Sequence, residues 1–503
     1  MSTGTVGTDS LAPLALVQRL FAELGSAHVG YTHWKSTTSL DVALAGRTDL
    51  DLLVRRADID AFRERAGALG FRRFRSHESR SFPEVEDWLG VDEASGRLVH
   101  LHVYLALVLG QQYVKNHRLP IEDVLIDRSV LRDGVRIPPS ELELIVLSLR
   151  VLLKYRDLDA AKDRLRAGRR PGMERGALAE LLDLAARADP EKVRGALTEL
   201  LPSVRVGLVD DLVATTRRDP RDAGTLLRLR RETRVALRVY QRAPARVATL
   251  RYLRARAARM WPLTLWSKAP GQRQRRRKTP FGGGWTVAII GADGAGKSTV
   301  IAGIEEWLRW RVNVATVYMG SAQPSGGTRM LKLGVRAARV LRRLAPGKHG
   351  ADERPLLPTA LRYLGDALDR RRRAAAGRQL ADTGGVVIFD RYPLPGLVVD
   401  GHVMDGPRIR QVLGDGTPLL ARLADREEAA YRHIAAPDHV IVLHVPPAVA
   451  LERKTNRDPA AVHAKAATID QFVSPEIPVS HIDATQAPDA VLRAVKAVLW
   501  SKM

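Results

Sequence analysis

Val287-Ala288-Ile289-Ile290-Gly291-Ala292-Asp293-Gly294-Ala295-Gly296-Lys297-Ser298-Thr299 is the stretch that decides how the second half of the chain folds. An apolar run leads into the pattern G-x-x-x-x-G-K-S, and a helix-compatible segment at 300–310 follows it. This order predicts a buried parallel strand, a glycine-rich turn and the start of a helix. The three glycines allow the backbone to curl around a polyphosphate, with successive N–H groups pointing at the anion.

The side chains around the third glycine suit a nucleoside triphosphate and its magnesium ion. A helix that starts near Lys297 adds the positive end of its dipole, and the Lys297 amine would reach the terminal phosphates. The Ser298 hydroxyl would ligate Mg²⁺. An ordinary strand-to-helix turn without a ligand is the alternative interpretation. The motif predicts that the ATP-binding residues are Gly291, Gly294, Ala295, Gly296, Lys297, Ser298 and Thr299.

Composition sets the broad class of protein. The chain has 503 residues, enough for three ordinary domains, and 45% of them are hydrophobic, as is typical of globular proteins. It has no cysteine, so disulfides, thiolate catalysis and cysteine-ligated metals are excluded. The first ten residues are polar without a basic stretch, and no apolar run approaches the ~20 residues that span a bilayer. We therefore expect a cytoplasmic protein without a signal peptide.

Basic residues are concentrated in one segment. Of the formal net charge of +24, residues 217–278 contribute 20 Lys and Arg against three acids, a balance of +17, which leaves +7 for the rest. Within 226–278, Trp261 and Trp266 lie beside a polybasic linker, a combination that favours an anionic membrane surface at the inner face of the membrane. Nucleic acid is a less favoured partner because few aromatic residues interleave with the charges. A helix whose arginines pair with acids of the flanking domains is the third interpretation.

Two carboxylates mark the first part of the chain. Asp49 and Asp51 open a predicted strand, and alternation places both side chains on one face. Such a pair is a suitable clamp for Mg²⁺, although two acids can also merely cap a surface strand. His100 and His102 share one face of a later predicted strand, where they either ligate a metal or serve the structure.

These features resemble the nucleotidyltransferase superfamily over roughly residues 25–130. The signature of that family is a Gly-Ser pair, a short helix and then D-x-D on the next strand. Here Lys35-Ser36 stands in place of Gly-Ser, a helix is predicted at 40–44, and Asp49 and Asp51 supply D-x-D. The resemblance implies an α/β domain with Asp49 and Asp51 as metal ligands. The histidine pair stands where the family usually places a third carboxylate.

The end of the chain adds further strands after the phosphate-binding motif. Residues 385–389 form an apolar run that ends in Asp390-Arg391-Tyr392. A carboxylate at the end of a neighbouring strand faces the Mg²⁺–phosphate site in such folds. Further strands are predicted at 438–445 and 479–482, with a helix between them from residue 448. In this order and spacing the pieces resemble the thymidylate kinase family over residues 285–503.

This second resemblance implies ATP-dependent transfer of the γ-phosphoryl group to an acceptor that itself bears a phosphate. It implies that Asp293 faces the sugar of the acceptor, that Arg391 grips its phosphate, and that Asp390 lies near Mg²⁺. Arg370 or Arg371 would be another acceptor-binding arginine, and Arg453 and Arg457 would belong to a closing lid. The implied catalytic set is therefore Lys297, Asp390, Arg391, Arg453 and Arg457, and the metal ligands are Ser298, Asp390, Asp49 and Asp51.

The sequence as a whole predicts an α/β protein. We expect an α/β nucleotidyltransferase-like domain at 1–135, a helical, basic connecting domain at 136–262, a basic and glycine-rich linker at 263–284, and a P-loop domain at 285–503. The P-loop domain would hold a parallel sheet with helices on both faces. The expected function is transfer of phosphate from ATP, with Mg²⁺, to a nucleoside monophosphate or another phosphorylated sugar. A nucleotide-gated scaffold and a nucleotidyltransferase of nucleotide-sugar or polysaccharide metabolism are the alternatives. The sequence leaves the oligomeric state open, and a dimer is compatible with it.

Overall fold

The computed structural model describes residues 11–77, 81–82, 84–111, 114–165, 172–260, 277–344, 356–399, 402–414, 416–453 and 466–503. The chain separates into two compact units, Met1–Arg273 and Gln274–Met503. The α/β class is confirmed. The region at 136–262 belongs to the same compact unit as the N-terminal part of the chain, and the finer division into domains stays a prediction.

A mixed sheet of five strands forms the centre of the first unit, in the order β1-β2-β5-β4-β3. Strands β2 and β5 run parallel, and the other neighbours are antiparallel. Two small hairpins, β6–β7 and β8–β9, follow. The strands are β1 (Tyr31–His33), β2 (Leu50–Val54), β3 (Arg72–Arg75), β4 (Val85–Asp92), β5 (Arg97–Tyr104), β6 (Val108–Gln111), β7 (Val114–Arg118), β8 (Val130–Arg132) and β9 (Val135–Ile137).

Helices cover both faces of this sheet. The helices are α1 (Ala15–Ser26), α2 (Leu40–Leu44), α3 (Ile59–Ala68), α4 (Glu122–Asp127), α5 (Ser140–Lys154), α6 (Asp157–Arg164), α7 (Arg175–Arg187), α8 (Pro190–Leu200), α9 (Leu208–Arg218), α10 (Ala223–Ala236) and α11 (Ala245–Met260). Short 3₁₀ turns lie at Thr37–Ser39, Arg56–Asp58 and Leu237–Tyr240. Leu50, Leu52 and Leu101 pack in one core with α1 and α3. Leu53 and Tyr104, on the opposite face, share a second core with the helices from α5 to α10.

The second unit is built on a parallel sheet of five strands in the order β12-β13-β11-β16-β17. Its central strand is the apolar run that opens the glycine-rich motif, as the sequence predicts. The strands are β10 (Thr279–Pro280), β11 (Trp285–Gly291), β12 (Val314–Tyr318), β13 (Val386–Asp390), β14 (Val398–Val399), β15 (His402–Val403), β16 (His439–His444) and β17 (Val479–Asp483).

Consecutive residues of β11, from Val287 to Ile290, are buried, so this strand is covered on both faces, as is usual in parallel sheets. Ala288 and Ile290 pack in one core with Ala374 and Ala381 of α14. The ring contact between Trp307 and Trp500 joins α12 to α18. The helices are α12 (Lys297–Arg309), α13 (Gly326–Leu344), α14 (Leu356–Asp382), α15 (Ile409–Leu413), α16 (Pro418–Arg432), α17 (Pro447–Arg453) and α18 (Pro488–Lys502).

Candidate functional site

The glycine-rich loop between β11 and α12 has the backbone of an anion cradle. Gly294 and Gly296 have φ values of 92° and 81°, a region that favours glycine. A Cβ atom at Gly294 would lie 2.8 Å from the carbonyl oxygen of Ala450, and one at Gly291 would lie 2.9 Å from that of Leu443. Side chains therefore do not fit at two of the three glycines, and α12 begins directly after the third.

The predicted lysine lies across the loop. The Lys297 amine donates hydrogen bonds to the carbonyl oxygens of Gly291, at 2.8 Å, and Ala292, at 2.9 Å. Ser298 and Thr299 are exposed in the first turn of α12. A positive charge, exposed hydroxyls and a helix N-terminus thus meet at one loop, an arrangement that suits a polyphosphate.

A carboxylate with one unsatisfied oxygen lies beside this loop. Asp390 ends β13, and the register pairs it with Ile289 of the central strand. Its Oδ1 atom is buried and finds no hydrogen-bond donor among the described residues. Buried carboxylate oxygens normally have a partner, so this atom fits a cation at the predicted position. Asp390 and Ser298 are the residues that would hold Mg²⁺.

Two further predicted residues face each other across the mouth of the loop. A terminal nitrogen of Arg391 lies 3.8 Å from Oδ1 of Asp293, whose side chain is 10% exposed. Arg391 has a φ of 60°, which is uncommon for a residue with a side chain and concentrates at functional sites. Arg391 directly follows Asp390 in the chain, so two consecutive residues lie beside the same loop.

The remaining predicted arginines occupy very different environments. Arg370 is buried, and its guanidinium donates to the carbonyl oxygen of Met319 at 2.7 Å and to the Asp405 carboxylate at 3.0 Å. It also bonds the Tyr431 hydroxyl. Arg371, the other alternative, is exposed.

The two arginines of the predicted lid are only partly described. Arg453 contacts the carbonyl oxygens of Gly294, at 3.4 Å, and Ala484, at 3.2 Å. It therefore lies against the phosphate-binding loop. Arg457 lies outside the described residues.

The first unit gathers three carboxylates and two imidazoles on one face of its sheet. The register places Asp51 of β2, His102 of β5 and Asp87 of β4 side by side. Nδ1 of His100 lies 2.8 Å from Asp49, and Nδ1 of His102 lies 3.2 Å from Asp51. Nε2 of each histidine lies 3.2 Å from Oδ1 of Asp87. The structure thus brings the D-x-D pair and the histidine pair together at one place on the sheet.

The second carboxylate of the predicted magnesium clamp has a cationic partner in the protein. Nζ of Lys35 lies 2.8 Å from Oδ1 of Asp51 and 3.1 Å from the Tyr104 hydroxyl. Burial alone would raise the pKa of Asp51, but Lys35 and His102 hold it far below its ordinary value. Burial lowers the pKa of His100, whereas the bonds to Asp51 and Asp87 outweigh burial and raise that of His102.

Buried acids of the helical region hold the loop that carries the Lys35-Ser36 pair. The backbone N–H of Ser36 donates to Glu180 at 2.8 Å, and that of Thr37 donates to Glu143 at 3.1 Å. Ser36 has a φ of 59°, so this turn is held in an uncommon conformation. The two N–H groups are thereby occupied by carboxylates rather than open to an anion.

Sequence reasoning missed Asp87 and the strand β4 that carries it. The run from Val85 to Asp92 contains three acids, which weakens the apolar pattern of a buried strand. Glu86 alternates with Asp87 and faces Arg63 and Arg73 instead, so the acids on both faces of the strand have partners. The signal that could have predicted this strand is its set of apolar residues, Val85, Trp88, Leu89 and Val91, within a stretch of eight.

The basic segment is partly paired within the first unit. Arg230 is buried and bonds the carbonyl oxygen of Tyr155 and the carboxylate of Asp157. Arg242 lies 3.4 Å from Glu84. The residues on which the membrane prediction depends, Trp261 and Trp266 among them, lie outside the described residues. Among the described residues, no helix has the length and apolar character that crossing a membrane requires.

Comparison with known proteins points to nucleotide binding in relatives. No protein-family model matches the chain. The uncharacterized ATP-binding protein YghS of Escherichia coli (strain K12) is 29% identical over 218 residues, which are 41% of this chain and 89% of that protein. The uncharacterized ATP-binding protein YghR of the same strain is 26% identical over 219 residues, 42% of this chain and 86% of that protein. About two fifths of the chain is therefore similar to most of the length of proteins named for ATP binding.

Proposed function

We propose that this protein is an ATP-dependent phosphotransferase of the thymidylate kinase-like class. It would move the γ-phosphoryl group to a nucleoside monophosphate or another phosphorylated sugar. The similarity to proteins named for ATP binding supports the donor. The observation that supports a phosphate-bearing acceptor is the approach of Arg391 to Asp293 at the mouth of the phosphate-binding loop. A fixed guanidinium at that place supplies a second phosphate-binding group besides Lys297.

The chemistry follows from the charges that these residues hold in place. A phosphate oxygen of the acceptor attacks the γ-phosphorus, the bond from that phosphorus to the bridging oxygen breaks, and ADP leaves. Lys297 and the N–H groups of the loop hold the donor, and Arg391 holds the acceptor phosphate in line with it. Mg²⁺, on Ser298 and Asp390, would neutralise charge on the phosphate oxygens when bound. Asp293 would orient the guanidinium of Arg391 and face the sugar of the acceptor.

Acceptor-dependent release of ADP is the measurement that tests this proposal. The purified chain is supplied with ATP, Mg²⁺ and, one at a time, nucleoside monophosphates and sugar phosphates. We expect at least one acceptor to raise ADP release well above the rate with ATP alone. ADP release that no acceptor changes would contradict the transfer and favour a nucleotide-gated scaffold.

Two variants separate the donor side from the acceptor side. Lys297→Met should lower turnover by on the order of a hundred- to several-thousand-fold, because a positioned cation at the transferring group stabilises the transition state by roughly 3–5 kcal/mol. Arg391→Ala should raise the KM for the acceptor and spare ATP binding. Lys502→Met and Arg422→Ala, at exposed positions of the same unit, are the matched controls. Near-full turnover by Lys297→Met would refute the assignment.

A further inference from the structure

The two imidazoles on the sheet of the first unit lie between carboxylates, with Asp49 and Asp51 on their Nδ1 side and Asp87 on their Nε2 side. Nδ1 of His100 and Nδ1 of His102 both approach Asp49, at 2.8 Å and 3.7 Å. Nε2 of both rings approaches the same oxygen of Asp87, at 3.2 Å each. The rings lie edge to face with centroids 4.3 Å apart, and the side chain of His100 is fully buried. Each imidazole is therefore enclosed between carboxylates on its two sides.

The close approaches between ring nitrogens and carboxylate oxygens can be bridged by a cation as well as by hydrogen atoms. A neutral imidazole carries one N–H, so two neutral rings can donate only two of the hydrogen bonds that these approaches require. If both rings donate from Nε2 to Asp87, both Nδ1 lone pairs face the oxygens of Asp49 and Asp51. A cation between Nδ1 and those oxygens removes that repulsion. Asp87 would then accept from the far nitrogen of both rings, which is the arrangement that carboxylates adopt behind metal-bound histidines.

The donors do not match the magnesium clamp that the D-x-D motif predicts. Mg²⁺ takes oxygen ligands in an octahedron and keeps several waters, whereas the centre of this cluster is lined by ring nitrogens. Asp51, one half of the predicted clamp, is already bound by the Lys35 ammonium. Imidazole nitrogen combined with a carboxylate is a donor set that suits zinc and other first-row transition metals.

We propose that Asp49, His100 and His102 bind a divalent transition-metal ion of the zinc class in place of Mg²⁺. One ligand atom from each of the three residues lies within 4.8 Å of the others, a spread that metal–ligand bonds of ~2.0–2.2 Å can close with small side-chain movements. Asp87 is the positioning residue behind the two rings, and Lys35 holds Asp51 to one side. His102 and Asp49 remain about a quarter exposed, which leaves the ion a path from solvent.

Metal selectivity of the unaltered chain is the first test. The full-length protein is stripped with a chelator and titrated with Zn²⁺, Mn²⁺ and Mg²⁺ by calorimetry, and Co²⁺ absorption reports nitrogen ligation. We expect one Zn²⁺ per chain, bound at least a hundredfold more tightly than Mg²⁺ at this centre. The same binding should persist in Lys297→Met, so that failure of the proposed phosphotransferase would leave this result unaffected.

Variants locate the site. His102→Ala and Asp49→Asn should weaken Zn²⁺ binding at least a hundredfold and remove the Co²⁺ absorption. His117→Gln, which changes another buried histidine of the same unit, should leave both unchanged. Zn²⁺ should also raise the unfolding midpoint of the first unit in the unaltered chain and not in His102→Ala. Equal affinity for Zn²⁺ and Mg²⁺, Zn²⁺ binding that survives both variants, or no binding would overturn the proposal and leave a network of ion pairs and hydrogen bonds.

Discussion

Neutralising Glu143 should stabilise the first unit at neutral and alkaline pH. Burial raises the pKa of this carboxyl to about 7 from its ordinary 4.5, against the hydrogen bonds from Thr37 that would lower it. The residue is 2% exposed. Between these two values the folded protein binds more protons than the unfolded chain, so stability falls as the pH rises from 4.5 to 7 and then levels off.

The size of the effect follows from the shift. Each unit of pKa corresponds to 1.36 kcal/mol, so a shift of this size amounts to on the order of 3 kcal/mol. Glu143→Gln keeps an oxygen for the N–H of Thr37, places an amide NH2 that can donate to the Thr37 hydroxyl oxygen, and carries no charge. We expect it to match the wild-type stability below pH 4.5 and to exceed it by on the order of 3 kcal/mol above pH 7.

Urea unfolding of the full chain at pH 4.5, 6 and 8 measures this difference, followed by tryptophan fluorescence and circular dichroism. The transition of the second unit should not move between wild type and variant, and it serves as an internal reference. Glu64→Gln, at an exposed position of the same unit, is the matched control and should show no pH-dependent gain. A variant less stable than the wild type at pH 8 would contradict the expected gain, because it would mean that the carboxylate is stabilised by its partners.

Two further substitutions test the second unit. Gly294→Ala should weaken nucleotide binding, measured by fluorescent-nucleotide titration, by a hundredfold or more, because the new Cβ meets a carbonyl oxygen at 2.8 Å and the φ of 92° favours glycine. Its control, Gly334→Ala, has open space around it in α13 and should stabilise that helix by about 0.5–1 kcal/mol in thermal unfolding. Arg370→Met should destabilise the unit by about 3–5 kcal/mol, since it leaves the buried partners of the guanidinium unpaired, and the exposed Arg371→Met should stay within about 0.5 kcal/mol in denaturant unfolding. A large loss for Arg371→Met and none for Arg370→Met would contradict this assignment.

The sequence pattern predicts those parts of the sites that depend on residues adjacent to one another in the chain. The strand, turn and helix around Lys297 follow from one continuous stretch, and the apolar run before Asp390 predicts the buried strand that this residue ends. The common face of Asp49 and Asp51 follows from strand alternation. The strand and helix around Lys297 are confirmed because their causes are short-range, whereas β2 begins at Leu50, so Asp49 lies one residue before the strand predicted to carry it.

Partners distant in sequence were not predictable. The bonds of Arg370 join α14 to residues 35 and 61 positions away, and nothing in its own segment indicates them. Asp87 reaches the histidines only because β4 pairs with β5, and its acidic strand lacks the expected apolar alternation. The pairing of Lys35 with Asp51 likewise depends on how two strands meet.

The core that joins the sheet of the first unit to its helices has a consequence for synthesis on the ribosome. Its members extend from Trp34 to Leu237, so Tyr104 is made 133 residues before the last of its core partners (237 − 104). At about 5–20 residues per second, the core on this face of the sheet remains incomplete for roughly 7–27 s after Tyr104 is synthesised. During that interval the growing chain presents Leu53 and Tyr104 to chaperones and to other nascent chains.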